Sequence, residues 1–327
     1  MQGKAVIFRA DGRPGPAVAI PTVRFTSGLH TVQLMMRLRL LPTLVLAGLL
    51  ALTSGCTSAS SSGTDTGTGT PTAAVRSETV SLQRDDIQLA GTLDVPENAT
   101  GTRKVPLVLL LHGLGGSQDD PVIEASAQAL NNDGIATLRI DFDGHGASGG
   151  EFREMTVPSE IEDARTAYEY AEGLSFVSTI GLAGHSQGGV VASMLAGQLG
   201  EKITATALLA PAATIPQMAR SGNFLGTEFD PADPPATITV DGQQLGRNYI
   251  LTAQKLPLNR VAARYTGPVT VIQGEDDDVI PVASSQKFVT VFSHGELHLL
   301  SGQGHDFSSD PSEPASLVAG FLSARLS

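Results

Sequence analysis

The sequence predicts an α/β fold: a mostly parallel central sheet flanked by helices. Two observations carry that prediction. Continuous apolar runs recur at 105–111, 135–142, 179–184, 203–210, 269–273 and 296–300, and such runs suit strands covered on both faces of a sheet. Segments with apolar residues at helical spacing separate them, and strand–helix alternation builds parallel sheets. A third observation qualifies the pattern. Residues 211–264 break the alternation, which predicts a cap inserted over the C-terminal edge of the sheet, where ligands of such sheets bind.

The chain opens with a segment that should not belong to the folded domain. Residues 36–56 read MRLRLLPTLVLAGLLALTSGC. A cationic start, 13 mostly apolar residues from Leu40 to Leu52 and a small-small-Cys ending follow one another. The layout is that of a secretory signal peptide, and the apolar run is too short to span a bilayer. Its ending resembles a bacterial lipobox, which makes Cys56 the expected lipidation site and the membrane an expected partner through that lipid. The expected leader is 1–55, with 35–55 as the signal peptide and 1–34 preceding the true start, because a signal begins beside its cationic residues. Ten of the 20 residues in 57–76 are Ser or Thr. Such a stretch buries little apolar area, so 56–76 is expected to be a lipidated Cys and a flexible linker. The expected location is outside the cytoplasm, anchored to the cell membrane.

Charge and cysteine usage exclude other classes. The chain of 327 residues has a net charge of −12, against the basic face that a phosphate-tracking nucleic-acid binder needs. The single Cys excludes an internal disulfide and a thiolate zinc cluster.

The domain is expected over 77–327. It starts with TVSLQRDD and IQLAGTLDVP, two half-alternating stretches that predict an antiparallel hairpin. The run 105–111 ends at His112-Gly113. Helical patterns follow at 121–131, 159–171, 190–199 and 313–326. The second of these opens on Ser159 with Glu162 three residues on, the spacing of a capping box.

The chemistry concentrates in GHSQGG, residues 184–189. It matches G-x-S-x-G between a predicted strand and a predicted helix, the context of a nucleophile elbow. Ser186 is the candidate nucleophile, and Gly184 and Gly188 let the backbones pass. A serine hydroxyl needs a base to take its proton. In this architecture the acid and then the histidine follow the serine. His30 lies in the leader, His112 and His145 lie in glycine turns before Ser186, and His185 adjoins it. His294 and His298 flank or occupy a strand. His305, in SGQGHDF after the last strand, has the right order and place. Asp277, after the run 269–273, is the candidate acid, with Asp276 or Asp278 as alternatives. The oxyanion donors are the backbone amides of Gln187, which follows the nucleophile, and of Leu114 in HGLGG. DGHGASGG, 143–150, is read as a loop that supports the site, and no metal is assigned to Asp143 or His145.

These motifs carry a resemblance. From about residue 78 to the end the chain resembles the α/β-hydrolase superfamily, and within it the bacterial cinnamoyl (feruloyl) esterases. HGLGG and GHSQGG are shared across the superfamily. RIDFDGHGASGGEF with MTVPSEIEDA also carries the resemblance, and DFDGHG, SQGGVVASMLAG and LAPAAT together are closer to the esterase group. The resemblance implies a Ser186–His305–Asp277 triad, no cofactor and a small-molecule ester substrate. It also implies a cap that meets the acyl group. Tyr249 falls where a cap Tyr contacting a phenol hydroxyl is expected. Met218 and Leu225 fall where that group would carry polar contacts, which favours a rival reading as an acylglycerol lipase or general short-chain esterase. A serine peptidase of the same fold and a non-catalytic binding lipoprotein are the other rivals.

Overall fold

A computed structural model describes residues 8–9 and 74–326. The expected signal peptide and Cys56 lie outside the described residues, as do all but 74–76 of the expected linker and all but 8–9 of the expected leader. Among the described residues a nine-stranded sheet organises the domain. Its strands in chain order are β1 (Phe8–Arg9), β2 (Val75–Arg84), β3 (Ile87–Pro96), β4 (Val105–Leu111), β5 (Ala136–Ile140), β6 (Val177–His185), β7 (Thr206–Leu209), β12 (Val269–Gly274) and β13 (Gly295–Leu300). Across the sheet they run β1-β13-β12-β7-β6-β4-β5-β3-β2; β1 comes from the segment expected to lie outside the domain, and its Phe8 and Arg9 pair with Leu297 and Glu296. From β13 to β5 every pairing is parallel, and the antiparallel pairings lie at the two edges. The β2–β3 hairpin starts four residues before TVSLQRDD and two before the expected domain boundary: Val75 and Arg76, which fall in the expected linker, already pair with Pro96 and Val95.

Strand β4 illustrates why the apolar runs read as central strands. Leu107, Leu109 and Leu111 enter the larger core, on one face, and Val108 and Leu110 enter the second core on the other. All five are fully buried, as a strand covered on both faces requires. The covering helices are α1 (Pro121–Asn132), α2 (Val157–Gly173), α3 (Gln187–Leu199), α7 (Val282–Val289) and α8 (Ser312–Leu326).

Helix α2 corrects one expectation. Its N-cap is Thr156, whose side chain accepts from the Ser159 amide at 3.1 Å, while the Ser159 hydroxyl accepts from the Thr156 amide at 2.8 Å. Ser159 is therefore the third residue of the helix rather than its cap. Pro158 in the first turn needs no N–H there, which lets the helix start before Ser159.

The insertion between β7 and β12 holds α4 (Ile215–Ser221), the short pair β8 (Asn223–Phe224) and β9 (Thr227–Glu228), the hairpin β10 (Thr237–Val240) and β11 (Gln243–Gly246), α5 (Arg247–Lys255) and α6 (Leu258–Ala262). Helix α6 returns the chain to the main layer against α3. A Cβ on Gly197 of α3 would lie 2.0 Å from the Val261 carbonyl oxygen, so the close approach needs a glycine.

Candidate active site

Strand β6 ends at His185 and α3 begins at Gln187, so Ser186 occupies the whole of a sharp strand-to-helix turn. Its backbone is held at φ 52°, ψ −117°, a region costly for a residue with a Cβ. The surroundings leave it little alternative. Its N–H donates to the Leu209 carbonyl at 2.8 Å and its own carbonyl accepts from Ala212 at 3.0 Å. A Cβ on Gly184 would sit 2.2 Å from the Gly188 oxygen, and one on Gly188 would sit 2.3 Å from the oxygens of Leu111 and His112. The glycines of the motif are thus required by backbone contacts, and those contacts present the hydroxyl at the C-terminal edge of the sheet.

The loop after β13 carries His305 to that hydroxyl. His305 Nε2 lies 2.9 Å from Ser186 Oγ, and His305 Nδ1 lies 2.8 Å from Asp277 Oδ2. The other oxygen of Asp277 accepts from the amides of Val279 at 2.9 Å and Ile280 at 2.7 Å, and Gln273 Nε2 donates to Oδ2 at 2.6 Å. Burial pushes the Asp277 carboxyl up. The hydrogen bond and charge of His305 and the two amides outweigh it, so the pKa is held below the usual carboxylate value. An ionised Asp277 fixes the proton on His305 Nδ1 and leaves Nε2 to accept from the serine. Among the three adjacent acids, Asp277 is the one brought to His305. Behind them, the neutral His185 ring donates Nε2–H to the His305 carbonyl at 2.9 Å, burial and the nearby His305 taking its pKa down to about 4.

Two more neutral histidines set the HGLGG turn. His112 donates Nδ1–H to the Gly113 carbonyl at 2.7 Å and accepts from the Phe142 amide at Nε2, 3.1 Å. His145 donates Nδ1–H to the Asp143 carbonyl at 2.9 Å and accepts from the Gly115 amide at 3.1 Å. Burial takes His112 down to about 3, with His145 adding to the effect, and burial also lowers His145. The DGHG loop is fixed in turn by Arg84, which binds Asp143 at 2.8 Å and also Asp163 on α2. This network holds the Leu114 peptide beside Ser186. The Gln187 amide, first in α3, has no acceptor within its helix. Leu114 and Gln187 both line the cleft beside Ser186.

A cleft of about 540 Å³ opens over Ser186 and His305. Its cap side is apolar, with Ile215, Met218, Phe224, Leu225 and Val240. Asp120, Asp241 and Asp306 also line it, and among the described residues no Lys or Arg does. Among the described residues, His185, His305 and Asp306 are the one grouping that could gather around a metal ion. Both ring nitrogens of His305 and the Nε2 of His185 are already engaged, so that trio offers no free donor set.

Comparison with known proteins gives the family. Est1E from Butyrivibrio proteoclasticus, solved with ferulic acid bound, is 33% identical with a TM-score of 0.73; the match covers 75% of this chain and 98% of that one. The chain belongs to the α/β-hydrolase superfamily. The family model described as serine aminopeptidase, S33, matches residues 102–234, and the serine hydrolase (FSH1) model matches 177–309. Among curated proteins, an uncharacterized 31.7 kDa protein of the traX–finO intergenic region of Escherichia coli is 34% identical over 103 residues; the match covers 31% of this chain and spans only 35% of that protein's length. The monoacylglycerol lipase of Mycolicibacterium smegmatis is 25% identical over 57% of this chain and 77% of its own length.

In this α/β-hydrolase the residues singled out by sequence fall into two groups. Ser186, His305, Asp277, Leu114 and Gln187 converge at the base of the cleft, and Met218 and Leu225 line its cap side. Tyr249 does not reach the cleft, contrary to its expected contact with the acyl group. It is fully buried, one layer behind the wall, with its ring edge-on to Phe224 at 5.3 Å and its hydroxyl donating to Gln187 Oε1 at 2.6 Å. On α5 it shares the buried face with Ile250 and Ala253, the spacing of a packing face. Residues that sequence reasoning missed are His185 and the cap residues Ile215, Phe224 and Val240. The alternating TITV stretch marks Val240, and no local signal marks Phe224.

Proposed function

We propose that this α/β-hydrolase is an exported serine carboxylesterase acting through an acyl-enzyme. The observation that carries the reading is the hydrogen-bonded line from Ser186 through His305 to Asp277 at the base of a largely apolar cleft. Ser186 Oγ attacks the ester carbonyl carbon while His305 Nε2 takes its proton. The amides of Leu114 and Gln187 stabilise the oxyanion. His305 then gives the proton to the departing alkoxide oxygen. Water enters, passes a proton to His305 and attacks the acyl carbon; the bond from that carbon to Ser186 Oγ breaks, His305 returns the proton to Oγ and the acid leaves. Water supplies the acid's new oxygen and His305 returns each proton it takes, so the cycle draws on no cofactor.

Hydroxycinnamoyl (feruloyl) esters are the proposed substrate class, supported by the likeness to a protein solved with ferulic acid. A second reading, hydrolysis of acylglycerols, is supported by the apolar cap wall and the likeness to a monoacylglycerol lipase. A panel of methyl ferulate, p-nitrophenyl acyl esters, a monoacylglycerol and an aminoacyl p-nitroanilide tests both. The expected result is the highest kcat/KM with methyl ferulate. A preference of roughly tenfold for the monoacylglycerol moves the assignment to the lipase, since hydrophobic contacts readily supply that much discrimination. Turnover of the anilide alone moves it to a peptidase.

The anchor at Cys56 belongs to the same proposal. Acyl chains hold a protein on a bilayer at about 0.8 kcal/mol per buried methylene. Cys56→Ala should move the protein from the detergent phase to the aqueous phase and leave turnover of soluble esters unchanged. Unaltered partitioning refutes lipidation at this residue.

A further inference from the structure

The side chain of Gln187, the residue after the nucleophile, is tied at both ends. Its Nε2 donates to Glu160 Oε2 at 2.8 Å and its Oε1 accepts from the Tyr249 hydroxyl at 2.6 Å. All three side chains are buried. They come from three elements: Glu160 from α2, Gln187 from α3 and Tyr249 from the cap helix α5. Neither α2 nor α5 supplies a group to the Ser186–His305–Asp277 line, yet both grip the residue whose amide faces the oxyanion.

We propose that Glu160 and Tyr249 are positioning residues that hold Gln187, and with it the oxyanion-binding amide, and that this line couples the position of the cap to catalysis. The proposal rests on the reading of Ser186 and Gln187 as parts of an esterase site. The amide donor must point to where charge develops within a few tenths of an ångström to stabilise it. The carbonyl of the Ser186–Gln187 peptide accepts from the amides of Gly189, Val190 and Ala212, which holds one side of it. The Gln187 side-chain amide, held from both sides, adds a constraint on the other. Because Tyr249 rides on α5, a displaced cap would release one end of the clamp.

The partner groups indicate that Glu160 works as a neutral acid. No cation faces it. Gln187 and Tyr249 are its uncharged neighbours, and its charged neighbours are Asp163 and Asp143, which share Arg84. Its second oxygen is buried without a partner among the described residues. Burial, reinforced by those two aspartates, raises its pKa well above the ordinary glutamate value, and the bond from Gln187 only partly opposes the rise. A neutral acid can be replaced by an amide of the same shape, whereas a required carboxylate cannot.

The test uses the full-length protein and compares Tyr249→Phe, Glu160→Leu and Glu160→Gln by kcat and KM on methyl ferulate and p-nitrophenyl butyrate, with thermal melts. Tyr249→Phe should lower kcat about fivefold on both esters with KM nearly unchanged, as loss of one positioning hydrogen bond predicts. Glu160→Leu should lower kcat by about tenfold or more, and Glu160→Gln should recover most of that loss. Glu160→Gln should also gain thermal stability over the native protein at pH 8 relative to pH 4. The native acid holds a proton that the unfolded chain releases as pH rises past its ordinary value, and Gln does not titrate. Unchanged kcat in both Tyr249→Phe and Glu160→Leu overturns the positioning role. A Tyr249→Phe effect seen in KM, or with the ferulate ester alone, overturns it by making the tyrosine a substrate contact. Glu160→Gln no better than Glu160→Leu overturns the neutral acid. Ester turnover that survives Ser186→Ala overturns the parent reading and this one with it. Turnover lost in Ser186→Ala with the clamp variants unaffected overturns the clamp alone.

Discussion

At the elbow, a Cβ on Gly184 or Gly188 would run into main-chain oxygens at 2.2 and 2.3 Å. Across the same cleft, Met218 and Leu225 meet the open space with side chains that substrate could displace or replace. The elbow is fixed by the backbones of β4, β6 and α3, and its tolerance for change is set by steric contacts between them. The cap is assembled from strands as short as two residues and helices of five to nine, and its cleft-facing surface is set by side chains. The difference teaches where chemistry and selectivity are stored. Chemistry sits where the backbone permits few sequences. Selectivity sits where many side chains are compatible with the same turn.

Removing the reacting groups gives the largest expected effect. Ser186→Ala and His305→Ala should each cut ester turnover by about 10³-fold or more, and the double variant should fall little further, because the groups act as a unit. Both residues lie outside the two cores, so melts should stay close to native. Steady-state rates with p-nitrophenyl butyrate and a thermal scan check both halves. Near-native turnover in either variant would remove the elbow from the reaction.

The same contrast explains what was legible in the sequence. Strands β4 and β6 and the start of α3 could be read because a two-faced strand demands an unbroken apolar run and the elbow demands its glycines. Helix α7 went unread: VASSQKFV buries Ser285, Phe288 and Val289 on one short face, too brief a repeat to stand out. In the cap, Asp241-Gly242 joins β10 to β11 with φ of 48° and 79°, the backbone that a two-residue hairpin turn needs. That Asp-Gly signal lay in the sequence between TITV and QQLG. Tyr249 lies in a cap segment whose position suits a ligand contact, but its place on the buried face of α5 with Ile250 and Ala253 turns it into the cap interior. No pattern local to α2 reveals that Glu160 meets Gln187, since their contact depends on how three helices pack.

The second expected effect sharpens the elbow side. Gly184→Ala places a methyl group against the Gly188 peptide, where only backbone could yield. Overpacking of this kind costs about 3 kcal/mol. Urea unfolding should show a lower midpoint, with activity lost in parallel as the hydroxyl moves. A comparable loss from Met218→Ala would break the distinction between the regions.

The third tests the cap directly. Met218→Ala and Leu225→Ala should widen the cleft and change the ratio of kcat/KM between short and long acyl chains by about tenfold, since one methylene in an apolar pocket is worth about 1–3 kcal/mol. Leu225 carries an added feature: it sits at φ 48° in the turn between β8 and β9. Leu225→Gly therefore removes backbone strain together with the side chain. It should shift acyl preference as Leu225→Ala does while melting higher. Equal changes for all chain lengths would mean that the cap wall does not read the acyl group.

The smallest expected effect concerns charge, and both regions contribute to it. Asp120 and Asp306 approach the cleft from the sheet side and Asp241 from the tip of the β10–β11 hairpin in the cap. With no Lys or Arg among the described residues that line it, an ester whose alcohol carries a carboxylate meets repulsion that a neutral methyl ester does not. Asp241 and Asp306 are exposed and Asp120 is half-buried, so Asp241 should contribute no more than an exposed ion pair does, about 0.2–1 kcal/mol. Asp241→Asn should then raise kcat/KM for the anionic ester about two- to fivefold at low salt while leaving methyl ferulate unchanged. Added salt should remove the difference, because charges beyond about 8–10 Å are screened at physiological ionic strength. Asp241 belongs to a turn that side-chain changes can enter without disturbing the elbow, so the melt should move little. A gain that persists in high salt, or one shared by the neutral ester, would mean that Asp241 acts through the shape of the hairpin and not through its charge.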